Sequence, residues 1–154
     1  MAITLVGLGG CSEKRSQPLA IDNSLTQEEI AAGVLSPEVM WKMGRVGLAS
    51  LSPDASRLLY TVTWYNMQEN RGVTAIYVRD AASGEVAQLT DFSSNNSDPK
   101  WNADGSKIYF LSDLSGSSQI WEMAADGQNP RQLSKLDKDI EGFGVNPAGD
   151  KVFY

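Results

Sequence analysis

A short pattern that occurs three times constrains this chain more than any other feature of its sequence. Each copy is a polar turn with Pro, Asp, Asn or Gly, followed by a cation and then by β-branched and aromatic residues: Ser52–Tyr60, Asn102–Phe110 and Asn146–Tyr154. A polar turn that leads into such an apolar run is typical of a tight turn followed by a β-strand. Units that recur roughly every 45 to 50 residues are typical of stacked β-sheet modules.

A second repeated block supports the same period. Residues Ile76–Thr90 align without a gap with Ile120–Ser134, and both blocks predict a strand, a loop with glycine and a shorter strand. The first unit is the longer one, and its additional residues fall within 64–72. Each unit therefore supplies four short strand candidates, which is the content of one propeller blade.

The predicted fold class is all-β, a partial β-propeller preceded by short N-terminal helices. We expect about two four-stranded antiparallel blades, near residues 46–92 and 98–136, and the start of a third from residue 142. The predicted organisation is a truncated lipoprotein-type signal (1–11), a linker with a short helix (12–34) and the N-terminal part of the propeller (35–154). Because a propeller closes with about four to eight blades, we expect the chain to be the front piece of a longer protein.

The first residues resemble the end of a bacterial lipoprotein signal. The segment Leu8-Gly9-Gly10-Cys11 has the Leu-x-Gly-Cys pattern in which the cysteine is cut free and lipidated, so Cys11 is the lipidation candidate. The basic start and the usual length of about 15 to 30 residues are missing. Either translation starts further upstream, or the match is incidental and Cys11 is a plain thiol.

Two short helices are predicted before the first blade. Thr26 and Glu29 have the spacing of a capping box, and Ser36 followed by Pro37 is a typical helix start. In the second helix a shared face carries Val39, Met40 and Met43, which predicts that this helical turn packs against another element.

Composition excludes several classes of function. The chain has a formal net charge of −6, no histidine and one cysteine. The charge argues against nucleic acid as a partner, and the missing histidines remove Ser-His-Asp catalysis and nearly every zinc site from these residues. One cysteine permits no internal disulfide framework. We expect no cofactor, no metal, no catalytic residue in this chain, and membrane contact only through the lipid anchor.

The repeats resemble those of TolB-like propellers and of the propeller of the prolyl oligopeptidase family of serine peptidases. The lead-in Leu35–Val46, followed by Ser52-Pro53-Asp54, resembles the opening of bacterial dipeptidyl and acylaminoacyl peptidases of that family, and so does Thr61–Arg71. The resemblance implies an α/β-hydrolase domain beyond Tyr154 that carries the catalytic triad. It also implies a propeller that admits only oligopeptides. The lipoprotein-like start predicts a location in the periplasm or cell envelope.

The longer hairpin of the first unit is the candidate for contact with substrate or with the hydrolase domain. Aromatic and charged side chains beyond a rigid sheet often touch a ligand or neighbouring domain. The alternative is a surface hairpin with a solvated Glu69/Arg71 pair. The candidate residues are Trp64, Tyr65, Asn66, Glu69, Asn70 and Arg71.

Two other patterns favour structural roles. Asp104-Gly105 and Asp126-Gly127 lack the alternating oxygen ligands of a calcium loop, so they are interpreted as turns. Aromatic residues in strand positions are expected to pack between blades rather than stack on a ligand, namely Tyr77, Trp101, Tyr109, Phe110 and Trp121.

Three functions remain open from the sequence. The first is the substrate-gating propeller portion of a serine peptidase that cleaves oligopeptides. The second is a non-catalytic TolB-like periplasmic propeller that binds protein partners. The third is a propeller joined to another hydrolase, such as an amidohydrolase. They differ in the segment expected beyond Tyr154, which carries a nucleophile elbow in the first case, further blades alone in the second and a His-rich metal site in the third.

Overall fold

The fold consists of three antiparallel sheets that follow two short helices along the chain. A computed structural model describes residues 18–149 and 151–154. The elements in chain order are α1 (Gln27–Ala32), α2 (Pro37–Trp41), β1 (Arg45–Leu51), β2 (Arg57–Asn66), β3 (Arg71–Asp80), β4 (Val86–Gln88), β5 (Asn96–Trp101), β6 (Lys107–Ser112), β7 (Gln119–Ala124), β8 (Arg131–Gln132), β9 (Gly144–Val145) and β10 (Val152–Phe153).

The first eight strands form two blades. Blade 1 has the order β1-β2-β3-β4 and blade 2 the order β5-β6-β7-β8, and every neighbouring pair is antiparallel. Strands β9 and β10 pair where a third blade begins. The predicted fold class, a partial propeller of two four-stranded blades and the start of a third after short helices, is confirmed. The predicted domain boundaries stay predictions.

The repeated turn has the same hydrogen bonds in each copy, which explains why its pattern recurs. The side-chain oxygen of the first residue accepts the backbone N–H of the cation at, or directly before, the start of the next strand. The distances are 2.9 Å for Ser52, 2.9 Å for Asn102 and 2.8 Å for Asn146. The fourth residue has a positive φ in each copy, and these residues are Ala55 (+57°), Gly105 (+72°) and Gly149 (+72°). Glycine adopts this conformation freely, whereas the Cβ of Ala55 is strained there.

Apolar side chains pack on both faces of blade 2. Alternate residues of a strand point to opposite faces of its sheet, so one face packs on blade 1 and the other on the third unit. The cluster between the blades is Leu59, Ile76, Trp101, Ile108, Phe110 and Met123, with Val78, Leu89, Trp121 and Ala125 packed against it. The cluster on the other face is Tyr109, Leu111, Ile120, Ile140 and Phe143, with Val145 and Val152.

Both predicted helices form with the predicted caps, and the second packs against β2 through one of its apolar side chains. The Thr26 hydroxyl accepts the Glu29 N–H at 3.2 Å, and the Ser36 hydroxyl accepts the Val39 N–H at 3.3 Å. Val39 is buried, whereas Met40 and Met43 are each 47% exposed. The short helix turns only one of the three side chains inward, towards β2. No helix in the described part of the chain has the length and apolarity to cross a membrane.

Each blade has four strands, so the chain enters and leaves a blade at the same end. Arg45 opens β1 beside Thr63 of β2, near the turn at residues 67–70. The connection from β4 to β5 returns to this end, where the Phe92 carbonyl accepts the Leu19 N–H at 2.9 Å. We call this side of the sheets, with residues 18–44 and the turn at 67–70, the entry end.

Candidate contact surface at the entry end

The hairpin of β2 and β3 is longer than its counterpart in blade 2. Strands β2 and β3 have 10 residues each and pair without a break, whereas β6 and β7 have 6 residues each. The additional residues therefore lengthen both strands instead of forming a loose loop. We call this extension, residues 63–74, the arm. It contains all six predicted contact residues, with Glu69 and Asn70 in its turn.

Tyr65 fastens the arm to helix α2. Its ring meets the ring of Trp41 edge to face, with centroids 5.2 Å apart. The Arg45 guanidinium lies over both rings, 4.7 Å from the Trp41 centroid and 4.6 Å from the Tyr65 centroid. Each such cation–π contact contributes about 0.5–1 kcal/mol at an exposed site. The three side chains hold α2 against the base of the arm.

Trp64 makes its contacts within blade 1. Its indole N–H donates to the Tyr77 hydroxyl at 3.1 Å, and that hydroxyl donates to Gln88 Oε1 at 3.2 Å. Burial raises the pKa of Tyr77 above its ordinary value.

The lead-in also packs closely against Trp64. A Cβ on Gly44 would lie 2.6 Å from Val62 and 2.9 Å from the Trp64 ring, so the lead-in passes β2 at a distance that only glycine permits. Trp64 therefore supports the arm.

Asn66 ties the tip of the arm to the start of the described chain. Its amide nitrogen donates to the Ala20 carbonyl at 2.8 Å, and its amide oxygen accepts the Glu69 N–H at 2.9 Å. Next to Ala20, Leu19 is 3% exposed. The residues before α1 are thus held against the entry end by the Asn66 side chain, by the buried Leu19 side chain and by the hydrogen bond from the Leu19 N–H to the Phe92 carbonyl.

Three of the six predicted residues remain exposed at the tip. Glu69 and Arg71 form an ion pair at 3.8 Å with side chains that are 49% and 48% exposed. Exposed pairs of this kind contribute little to stability, about 0–1 kcal/mol. Asn70 lies in the turn and has a φ of +48°. Trp64, Tyr65 and Asn66 therefore position the arm, whereas Glu69, Asn70 and Arg71 are the part that a partner can reach.

A cleft of about 610 Å³ separates the arm from α2 and from residues 20–22. Its volume lies within the range of about 300–1,000 Å³ that is usual for ligand sites. The lining residues are Ala20, Ile21, Asp22, Pro37, Glu38, Trp41, Lys42, Tyr65, Asn66, Met67 and Gln68.

The charges around this cleft are mostly negative. Lys42 Nζ lies 3.0 Å from Glu29 Oε2 and 3.7 Å from an Asp22 carboxylate oxygen. The Glu29 hydrogen bond raises the pKa of Lys42, and the Ser24 hydroxyl is the main group that lowers the pKa of Asp22. Lys42 is therefore neutralised by its neighbours, and Asp22 and Glu38 leave the cleft acidic.

Sequence reasoning missed the residues that fix the arm in place. Trp41 and Arg45 were placed in the lead-in, and neither was assigned to the contact surface. The sequence feature that could have identified them is Gly44, which lies between Trp41 and Arg45. A glycine allows the backbone to pass close to a neighbouring strand, and this close approach brings the side chains on either side of it to that strand. The contact of Asn66 with Ala20 spans 46 positions and has no sequence signal.

The remaining predicted positions have local roles or lie outside the described residues. Asp104 Oδ1 accepts the Ser106 N–H at 2.8 Å, and Asp126 Oδ1 accepts the Gln128 N–H at 3.0 Å. Each carboxylate therefore stabilises the turn in which it lies. Within residues 18–149 and 151–154, no group of three or more acidic, cysteine or histidine side chains could hold a metal ion. Cys11 and the predicted signal lie outside the described residues.

Comparison with known proteins points to peptidase propellers. The chain is 30% identical over 134 residues to dipeptidyl-peptidase 5 of Porphyromonas endodontalis, which covers 86% of this chain and 19% of that protein. Its fold superposes on acylaminoacyl peptidase of Pyrococcus horikoshii with a TM-score of 0.62 at 18% identity, over 73% of this chain and 17% of that one.

Comparison with an isolated propeller domain, instead of a whole peptidase, shows how much of a propeller this chain represents. The propeller of the trilobed protease of Pyrococcus furiosus superposes with a TM-score of 0.58 at 18% identity, over 72% of this chain and 33% of that domain. The chain thus spans about a fifth of the length of its peptidase relative and a third of one propeller. The family profile of the TolB β-propeller domain matches residues 26–154, and the chain belongs to this family.

Proposed function

We propose that this chain forms the first blades of the propeller of a serine peptidase that cleaves oligopeptides, with its catalytic α/β-hydrolase domain elsewhere in the same polypeptide. The observation that carries the proposal is the 30% identity with a dipeptidyl-peptidase across 134 residues. That identity extends over 86% of the chain, so it is not confined to one repeat. The substrates are peptides short enough to pass the propeller.

The arm is the proposed contact between the propeller and the hydrolase domain or its substrate. It stands at the end where the chain enters and leaves the blades, which is where a domain joined to the propeller is attached. Tyr65 and Asn66 hold it through Arg45 and Ala20, so its tip is presented in one position. A tip held in this way positions its side chains with little loss of conformational freedom on contact.

The activity is tested on the full-length gene product. We expect a serine-directed fluorophosphonate to label it at one site, and we expect it to hydrolyse an unstructured peptide of about ten residues but not a folded protein that contains the same segment. Absence of both labelling and turnover would contradict the peptidase assignment. Equal turnover of the folded protein would contradict gating by the propeller.

The role of the arm is tested with tip variants of the same protein. Glu69→Ala combined with Arg71→Ala removes both exposed charges and leaves the contacts of Tyr65 and Asn66 in place. We expect kcat/KM to change severalfold, while the fold stays intact by circular dichroism. Lys135→Ala, an exposed cation on blade 2, is the matched control and is expected to change neither. Identical kinetics for both variants would contradict a contact at the tip.

A non-catalytic propeller that binds protein partners in the periplasm is the second candidate. The family profile that matches residues 26–154 supports it, because the matched domain is named after TolB and not after a peptidase. In this case the full-length protein takes no fluorophosphonate label and is recovered by cross-linking in a stable complex with envelope proteins.

A lipid anchor on Cys11 and a location in the periplasm or cell envelope belong to the same proposal. The Leu8-Gly9-Gly10-Cys11 pattern supports them. Labelling of growing cells with an alkyne fatty acid is expected to tag the full-length protein, and Cys11→Ser is expected to abolish the tag. Absence of the tag from the unmodified protein, or a tag that persists in the variant, would contradict the anchor.

A further inference from the structure

The arm leaves the body of blade 1 at Thr63 and Thr74. These two residues lie opposite each other in β2 and β3, and their hydroxyl oxygens are 2.9 Å apart. Strand β4 pairs with β3 only from Tyr77 to Arg79, so it does not reach the arm. The backbone groups of Thr74 on that side of β3 must therefore find other hydrogen-bond partners.

Two asparagine side chains at the start of blade 2 supply these partners. Asn95 Oδ1 accepts the Thr74 N–H at 3.2 Å, and Asn96 Nδ2 lies 3.5 Å from the Thr74 carbonyl oxygen. Asn96 is 2% exposed, and its amide also donates to the Ser94 carbonyl at 2.9 Å. The base of the arm is thus held by side chains of the neighbouring blade in the place of a strand.

Asn95 also binds the hairpin turn between β6 and β7. Its backbone N–H donates to Asp113 Oδ1 at 2.7 Å, and its side-chain nitrogen donates to Asp113 Oδ2 at 3.1 Å. The Asp113 N–H donates in turn to the Asn95 carbonyl at 3.3 Å. Hydrogen bonds to a carboxylate are roughly twice as strong as those between neutral groups. We call Thr74, Asn95 and Asp113 the junction, because they connect the arm to the hairpin of blade 2.

Blade 2 shows that the amide of Asn95 has a role beyond the support of Thr74. Asp139 and Ser118 are the residues at the same offset as the repeated block, and Asp139 Oδ1 accepts the Ser118 N–H at 2.6 Å. A carboxylate is therefore sufficient to support this position of the strand. Only the side-chain nitrogen of Asn95, which an aspartate lacks, is needed for the contact with Asp113. The asparagine thus fits a connection between the two blades.

The junction and the contacts described above hold different strands of the arm. Tyr65 and Asn66 belong to β2 and connect this strand to helix α2 and to Ala20. The junction holds β3 and connects it to blade 2. A tip that is held through both strands keeps one position relative to blade 2.

We propose that Asn95 and Asp113 are positioning residues for the tip of the arm, residues 69–71. The proposal rests on the proposed function, in which this tip contacts the hydrolase domain or its substrate. Neither residue needs to touch the partner, since both act through Thr74. When the junction is broken, the arm pivots at its base, and the tip must be ordered again each time it meets its partner, which weakens the contact.

The junction is tested first by hydrogen exchange of the full-length protein. Asn95→Asp places a carboxylate against that of Asp113 and removes the donor between them, while it keeps an acceptor for the arm. We expect the amides of the arm to exchange about three- to tenfold faster. Asn129→Asp adds the same charge in the exposed turn between β7 and β8 and is expected to leave this exchange unchanged. Equal exchange of the arm in the two variants would overturn the proposal.

A double variant tests whether the two residues act as a pair. In Asn95→Asp combined with Asp113→Asn, the amide and the carboxylate exchange places. The carboxylate at position 95 accepts the Thr74 N–H, and the amide at position 113 donates to that carboxylate and accepts the backbone N–H of residue 95. We expect the double variant to restore slow exchange of the arm. Exchange as fast as in Asn95→Asp would show that the two residues are not coupled, and the proposal would be wrong.

The effect on function is measured as kcat/KM of the same variants for a peptide substrate. We expect Asn95→Asp to lower kcat/KM severalfold, the double variant to restore it, and Asn129→Asp to equal the unmodified protein. Faster exchange of the arm with unchanged kcat/KM would overturn the positioning role and show that the tip is not the contact. Absence of turnover by the unmodified protein would contradict the proposed function and, with it, the positioning role, whereas the junction itself is decided by hydrogen exchange.

Discussion

The guanidinium of Arg57 in blade 1 lies 4.6 Å from the ring centroid of Trp101 in blade 2. The same guanidinium donates to the Gly105 carbonyl at 2.9 Å, and the Trp101 indole N–H donates to the Ser50 carbonyl at 3.4 Å. Polar contacts thus cross the joint in both directions around an apolar cluster. The joint between the blades is held by directional contacts as well as by burial.

Trp101→Leu, which installs the residue found at the aligned position of blade 1, is expected to destabilise the chain. The substitution removes the cation–π contact and part of the buried ring, at a cost of about 2–4 kcal/mol. Urea unfolding monitored by circular dichroism measures it. Trp101→Phe keeps an aromatic face for Arg57 and is expected to lose less. Equal losses for leucine and phenylalanine would show that the guanidinium contact contributes nothing.

Ala55→Gly is expected to stabilise the chain. Ala55 has φ +57° in a turn where the other two copies have glycine. Relief of the left-handed strain, about 1–2 kcal/mol, outweighs the greater freedom of glycine in the unfolded chain, about 0.5–1 kcal/mol. Thermal unfolding measures the gain. The control is Ala103→Gly, in the corresponding turn of blade 2. Ala103 has no positive φ, so this substitution relieves no strain and is expected to lower the stability.

The repeated turn was predictable because its hydrogen bonds lie within a few residues of each other. Ser52, Asn102 and Asn146 each accept an N–H five positions further on, so the pattern and the structure share the same short segment. The blades follow from that turn and from strand alternation. This is why the fold class could be predicted from one chain.

The arrangement of the arm was predictable only in part. The additional residues were assigned to the hairpin, but their extension of both strands depends on pairing between β2 and β3. The exposure of Met40 and Met43 likewise depends on how one short helix lies on β2, which periodicity does not specify. Contacts that join distant parts of the chain, such as Arg45 with Tyr65, leave no local pattern.

Gly44→Ala is expected to disturb the lead-in. The new Cβ would lie 2.6 Å from Val62 Cγ1 and 2.9 Å from the Trp64 ring, so the backbone or the indole must move. Overpacking of this kind costs about 1–3 kcal/mol. Urea unfolding measures the loss. Gly142→Ala is the matched control, because nothing lies within 4 Å of its added Cβ, and its unfolding midpoint is expected to stay unchanged.

Asp54 is expected to make stability depend on pH in acid. The Ser52 hydroxyl and the backbone N–H and hydroxyl of Ser56 lower the pKa of Asp54 to about 2. An unfolded aspartate has a pKa of about 3.9, so the ionised carboxylate stabilises the fold above that pH and the contribution is lost as the pH falls to about 2.

Asp54→Asn removes this contribution. The variant is expected to be less stable than the unmodified chain at pH 7, and the difference is expected to shrink between about pH 4 and pH 2. Thermal unfolding across this range measures it. Asp137→Asn, at an exposed position without a described hydrogen bond, is the control. A difference between Asp54→Asn and the unmodified chain that is constant down to pH 2 would contradict ionisation of Asp54 as its source.

Arg45→Met is expected to loosen helix α2 from the arm. The guanidinium lies over Trp41 and Tyr65, so its removal leaves the two rings without the charge that both of them face. The two contacts predict a loss of about 1–2 kcal/mol in unfolding free energy. Faster hydrogen exchange in residues 37–41 is expected to accompany this loss, because α2 has few other contacts. Arg71→Met removes only the exposed pair with Glu69 and is expected to change stability by less than about 0.5 kcal/mol. Unchanged exchange of α2 in Arg45→Met would show that packing of Val39 alone holds the helix.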